Sequence, residues 1–107
     1  MNNDTVTEPT LSEPEVYGEI EAEAQGLTYG AMVFTVKPGC ATEPHDHLSE
    51  ETWIIQTGTG RAQISGQIIG LIPGTRVCVP PRAQHAITNT STTDLRVMGF
   101  WWRGDEQ

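Results

Sequence analysis

The chain is poor in positive charge. Of its 107 residues only six are Lys or Arg, against 14 Asp and Glu, for a formal net charge of −8. Phosphate backbones are gripped by clustered Lys and Arg, so this scarcity argues against nucleic acid as a partner. It argues equally against docking on an anionic membrane surface. Long apolar runs are missing too, and no stretch approaches the roughly 20 residues that cross a bilayer as a helix. There is no basic start followed by an apolar core of the kind that marks a secretory leader, so a cytoplasmic location is expected. Cysteine is scarce: Cys40 and Cys78 stand alone, with no CxxC or Cys–His metal spacing. Two reduced thiols are expected, at least one packed as a small hydrophobe. A disulfide would require an oxidising compartment.

What charge there is lies unevenly. Residues 1–25 hold seven acids (Asp4, Glu8, Glu13, Glu15, Glu19, Glu21 and Glu23) and no base, whereas residues 26–107 are nearly neutral. The length allows a single small domain. An acidic N-terminal arm over residues 1–25 and one folded domain over 26–107 are therefore expected. Within the arm, residues 1–14 lack periodic apolar positions and are expected to form a mobile tail. Residues 15–25 suit a short edge strand or an extended arm.

From residue 28 onward, short β-rich runs alternate with Gly and Pro. Strands are expected at Thr28–Val36, Thr52–Gln56, Arg61–Ser65, Ile68–Leu71, Arg76–Val79, His85–Asn89 and Leu95–Trp102, with a hairpin turn at Gly66-Gln67. No segment sustains a helical period. Short strands at near-regular spacing point to an all-β antiparallel sandwich or barrel, with an interior mouth for a small ligand.

The three histidines are His45, His47 and His85. On extended chain His45 and His47 project to one side, and Glu51 keeps that parity four residues on. Two imidazoles and a carboxylate on one face suit a divalent metal such as Fe, Mn, Zn, Ni or Cu, and His85 is the remaining imidazole that could join them. If Glu51 points inward, Trp53 and Ile55 do so as well, while Thr52, Ile54 and Gln56 face the other way. Phe100, Trp101 and Trp102 read as core or dimer packing. Tyr29, Met32 and Phe34 could line the mouth.

The glycine and proline framing of these histidines resembles the cupin family. Gly39 is followed by five residues, then His45, one residue, His47, three residues, Glu51, six residues and Gly58. Every fixed position of the first cupin motif is met. In the second motif Gly74 is followed by five residues, then Pro80, and His85 and Asn89 fall in register. Arg82 stands where that motif has glycine. The resemblance covers residues 39–89, with 59–73 as spacer.

The resemblance implies an antiparallel jelly-roll barrel in which His45, His47, Glu51 and His85 hold one divalent metal, Fe or Mn ahead of Zn, Ni or Cu. It implies turn roles for Gly39 and Gly58 and a structural role for Asn89. A positive φ at position 82 would strain an arginine, so a slightly different loop is expected there, with Arg82 either a surface residue or an anion contact near the mouth. The expected activity is metal-dependent chemistry on a small molecule, dioxygenase-like in the first instance. The alternatives are a non-redox isomerase, lyase or polyketide-cyclase type of enzyme, and a non-catalytic small-molecule or sugar-binding module. Glu51 is the candidate base, with Tyr29 and Glu43 behind it. A homodimer is expected, formed through the Trp101-Trp102 end or residues 15–25.

Overall fold

The structure is a computed structural model that describes residues 8–104. Ten strands follow in chain order: β1 (Thr10–Leu11), β2 (Glu15–Ala24), β3 (Leu27–Val36), β4 (Cys40–Ala41), β5 (Glu50–Thr57), β6 (Gly60–Ile64), β7 (Gln67–Leu71), β8 (Arg76–Val79), β9 (His85–Thr88) and β10 (Leu95–Gly104). Among the described residues no helix is long and apolar enough to cross a membrane. The strands form two five-stranded sheets, ordered β1-β4-β9-β6-β7 and β2-β3-β10-β5-β8. Apart from the parallel β1–β4 pair, the strand pairings are antiparallel. The fold is the all-β jelly-roll barrel that the strand pattern and the motifs imply.

Alternation decides which face each side chain takes. On β5, Glu51, Trp53 and Ile55 are buried, while Thr52, Ile54 and Gln56 are not. On β10 the inward set is Leu95, Val97 and Gly99. Trp53, Ile55, Leu95 and Val97 join Phe34, Val36, Ala62, Ile64, Leu71, Val77, Val79, Ala83 and Ile87 in one core between the sheets. Such a core supplies the main stabilising term of the fold, because apolar burial scales with area removed from water. Cys40 packs against this core, Cys78 is exposed, and both thiols are free.

Two hairpins close through paired residues of positive φ. Gln25 and Gly26 (φ 53° and 80°) link β2 to β3, and Ser65 and Gly66 (φ 48° and 85°) link β6 to β7. Positive φ at both central residues is the type I′ geometry that matches strand twist. The second turn therefore lies one residue earlier than the expected Gly66-Gln67, because the left-handed pair is Ser-Gly and Gln67 already opens β7.

The N-terminal segment is more ordered than its composition suggests. Residues 1–7 of the expected tail lie outside the described residues. From Thr10 the chain is paired: the Thr10 N–H donates to the Gly39 carbonyl and the Ser12 N–H to the Ala41 carbonyl, both at 2.9 Å. Backbone pairing overrides a polar composition here, so a mobile tail reaching residue 14 is not what forms. β2 is the edge strand beside β3, and its register slips between Tyr17 and Ile20, where Gly18 takes φ 67°. That bulge resets the alternation. It lets Val16 and Glu21, five residues apart, line the same interior cavity.

The two sheets differ in length. β2, β3 and β10 are ten residues each, whereas β6 has five and β9 four. The inner face of the long sheet thus outruns the short one. His45 and His85 form an isolated antiparallel bridge across the short sheet.

Candidate metal centre

The two motif halves meet at that bridge. The His45 N–H donates to the His85 carbonyl at 3.1 Å, and the His85 N–H returns the bond at 2.8 Å. Turn chemistry delivers the second half. The Ala83 N–H bonds the Pro80 carbonyl at 3.2 Å, enclosing Pro81 and Arg82, and Arg82 has φ +66°. Proline at the second position and positive φ at the third define a type II turn. The expectation of a different loop is therefore corrected: the glycine-type turn is kept, and Arg82 adopts the left-handed backbone itself. Its N–H donates to the His47 carbonyl at 2.7 Å, tying the turn to the first motif. The Arg82 side chain is exposed and does not line the cavity.

Gly58 (φ 86°) must be glycine for a further reason, since a Cβ there would strike the Asp94 carbonyl. Asn89, 1% exposed, donates to the Val36 and Thr93 carbonyls at 2.8 and 2.7 Å and accepts from Ser91. It fastens the loop before β10, the structural role that the motif implies.

The imidazoles of His45, His47 and His85 converge, with one ligand-type atom from each lying within 4.8 Å of the others. Each ring is oriented by a nearby carbonyl. His45 Nδ1 lies 3.0 Å from the Glu43 oxygen, His47 Nδ1 3.0 Å from the Ser49 oxygen, and His85 Nδ1 2.9 Å from the Ala83 oxygen. A carbonyl only accepts, so each Nδ1 carries the proton and donates. In a neutral ring that leaves the Nε2 lone pair free, the arrangement in which a metal-binding histidine is held. Glu51, 4% exposed, places Oε1 3.2 Å from His47 Nε2 and 3.9 Å from His85 Nε2. Three imidazoles and a carboxylate facing one another can share a cation, either a proton on one Nε2 or a metal ion. The residues present therefore fit a divalent metal, and the donor set is of the borderline N/O type. Burial pushes the His85 pKa below the usual imidazole value, with the neighbouring His45 and His47 acting the same way against the raising effects of the Ala83 carbonyl and Glu51.

The cluster lies in a cavity of about 780 Å³. Met32, Phe34, Trp53 and Ile87 give it apolar walls, and Glu13, Glu21 and Glu43 stand among its lining residues. Trp53 packs edge-on to His85 at 5.7 Å, and its buried indole N–H has no acceptor among the described residues. Tyr29 is not brought to the cluster. It is 41% exposed, on the face of β3 opposite Thr28, Met32 and Phe34, so the structure gives no support to its expected role as a base. Asp46 and Glu50 are likewise absent from the lining.

Trp101, expected in core or dimer packing, lines the cavity instead, and Leu11–Pro14 and Arg103 are among the lining residues to which the sequence assigned no site role. Counting by twos from Leu95 along β10 leads through Val97 and Gly99 to Trp101 and Arg103, a signal that was available. Trp101 stands opposite Glu51 on one side and Gly30 on the other. Its ring rests where a Gly30 Cβ would lie, 2.7 Å away, so only glycine admits it.

Comparison with known proteins agrees with this geometry. The mannose-1-phosphate guanylyltransferase of Klebsiella pneumoniae is 29% identical over 84 residues, which are 77% of this chain but 18% of that protein. The chain thus spans less than a fifth of that relative's length. The DMSP lyase DddQ of Ruegeria pomeroyi superposes with TM-score 0.72 at 26% identity, over 86% of this chain and 47% of the lyase. A cupin 2 conserved barrel domain protein of Salinispora arenicola gives TM-score 0.65 at 25% identity, over 70% of this chain and 63% of the other. The Cupin_2 cupin domain itself matches residues 32–102, two-thirds of the sequence and both motif halves, so the chain belongs to the cupin family.

Proposed function

We propose that the protein is a metal-dependent enzyme acting on a small molecule, with one divalent ion held by His45, His47, Glu51 and His85. The observation that carries this reading is the convergence of three carbonyl-anchored imidazoles and Glu51 at a cavity large enough for a small ligand. The bound metal would supply Lewis acidity, and with Fe or Mn also oxygen activation. The chain's own residues do the rest. The apolar walls exclude water and orient the substrate, and Glu51 can hold or move a proton at Oε1.

Two chemistries follow from this site. Oxygen-activating, dioxygenase-like chemistry suits Fe or Mn in a histidine-rich set opening onto an apolar cavity. Non-redox lyase or isomerase chemistry is favoured by the likeness to the Ruegeria lyase. Elemental analysis of freshly purified protein tests the shared premise. The expected result is about one divalent ion per chain, lost on His45→Ala or His85→Ala. A folded protein that takes up no metal refutes the enzyme reading. Oxygen uptake with diols, thiols and β-diketones then separates the two chemistries.

A homodimer is proposed as well, with a second copy covering the outer face of the longer sheet. Two of its cross-strand rows are largely apolar, with Ile20, Ala31 and Phe100 beside Thr52 in one and Tyr17, Val33, Met98 and Ile54 beside Arg76 in the next. Tyr17, Ile20 and Phe100 are 42%, 65% and 38% exposed, although an uncovered antiparallel face is normally polar. Glu50 stands toward one end of β5 and Arg76 pairs with Ile54 toward the other, so a two-fold that reverses the strands sets acid against base. Light scattering checks this, with a dimer expected for wild type and a monomer for Phe100→Glu.

A further inference from the structure

The strongest unassigned feature is Arg103. Among the described residues it is the single Lys or Arg lining the cavity, against Glu13, Glu21, Glu43 and Glu51. Its guanidinium carbon lies 5.3 Å from the centroid of the Trp101 ring, and its Nη1 donates to Ser49 Oγ at 3.5 Å. Ser49 is buried, and its carbonyl is the acceptor that orients His47. Arg103 is thus one residue removed from the metal cluster. A guanidinium held over an indole is restrained by the cation–π contact and keeps N–H donors for an oxyanion. No carboxylate among the described residues lies within ion-pair distance of it, despite the four glutamates around the cavity.

We propose that the cavity binds a small monocarboxylate, its carboxylate held by Arg103 and its apolar body laid along Trp101, Met32 and Phe34 toward the histidine cluster. The metal-enzyme reading concerns the far end of that molecule, and this proposal rests on it only for what happens there. The charge pattern sets the class. One preorganised guanidinium matches one carboxylate bidentately. The surrounding glutamates repel a second negative charge, which disfavours phosphate esters. The walls between Arg103 and the cluster offer no further cation, so the middle of the ligand is uncharged.

The test is an equilibrium titration of zinc-loaded protein, followed by tryptophan fluorescence because Trp101 is at the site. The probes are butyrate and phenylacetate, their amides, and phenyl phosphate. The carboxylates are expected to bind about 10- to 100-fold more tightly than their amides, as a charge-assisted hydrogen-bonded pair requires, and more tightly than phenyl phosphate. Arg103→Gln removes that preference, so that carboxylate and amide bind alike, while the zinc content stays at about one ion per chain. Arg103→Lys, which keeps the charge without the fork, falls between and also controls for folding. Equal binding of carboxylate and amide overturns the proposal, as does an Arg103→Gln protein that keeps the carboxylate preference, because the carboxylate would then sit on the metal. If the protein takes up no zinc yet shows Arg103-dependent carboxylate binding, the metal reading fails and the Arg103 assignment stands.

Discussion

Replacing Glu51 by Gln should stabilise the metal-free protein and weaken the metal-loaded one. Glu51 is 4% exposed, and its Oε1 lies 3.2 Å from His47 Nε2, whose ring already donates through Nδ1 to Ser49. When Nε2 carries no proton as well, that contact sets a carboxylate against a lone pair. Leaving a buried charged acceptor without a donor costs about 1–3 kcal/mol. A glutamine amide in the same place donates to His47 Nε2 and removes the charge. With chelator present, Glu51→Gln is therefore expected to gain about 1–2 kcal/mol, and each kcal/mol raises Tm by about 4–8 °C in a domain of this size. Zinc reverses the order. At a hundredfold excess over Kd, wild type gains about 2.7 kcal/mol, or at least 10 °C, and the variant gains much less because it has lost the one anionic ligand. Thermal melts of both proteins with chelator and with zinc give the four values needed. A variant destabilised by the same amount in both conditions would show Glu51 to be a structural residue and refute the reasoning.

Acid should weaken the metal-free protein through His85. Its folded pKa is depressed by burial, so the unfolded chain takes the proton first, and the urea midpoint is expected to fall as pH drops below about 6.5, less steeply in His85→Ala. Asn89→Ala removes two donated and two accepted hydrogen bonds and strands the Val36 carbonyl, costing about 3 kcal/mol by denaturant unfolding. Arg82→Gly should stabilise by about 0.5–1 kcal/mol in the same assay, because φ +66° costs a non-glycine residue about 1–2 kcal/mol, of which glycine's extra unfolded entropy cancels part.

The parts of this architecture that were legible in the sequence are those with local causes. Alternation on β5 marked Glu51, Trp53 and Ile55 as inward before any partner strand was known, and burial agrees. Gly39 and Gly58 were marked by motif spacing, and both take positive φ. The parts that were not legible depend on pairing between distant segments. Nothing local in Thr10-Leu11 announces a strand, since that pairing exists only because β4 offers an edge to it. The bulge at Gly18 hid the face of β2, because one slipped register reverses every later side chain. Arg82 misled for the opposite reason. A steric preference of about 1–2 kcal/mol was read as a veto, but Pro81 before it and the hydrogen bonds on either side of it hold the turn regardless.

The same division between local and distant causes explains how this site can be organised before any ion arrives. Each imidazole is oriented by a carbonyl two residues away in sequence: Glu43 for His45, Ser49 for His47 and Ala83 for His85. Protonation site and ring direction are thus set within three short segments, each of which needs only its own backbone. Tertiary structure has one task left, which is to bring the segments together. The paired bonds between His45 and His85 and the Arg82 N–H on the His47 carbonyl do so. Those three bonds join backbone to backbone, so side-chain substitutions at the ligands leave them in place. Alanine at any one histidine should therefore remove a ligand without dispersing the other two. The cost of assembling the cluster is met by the fold, and a metal at this site would have little left to organise.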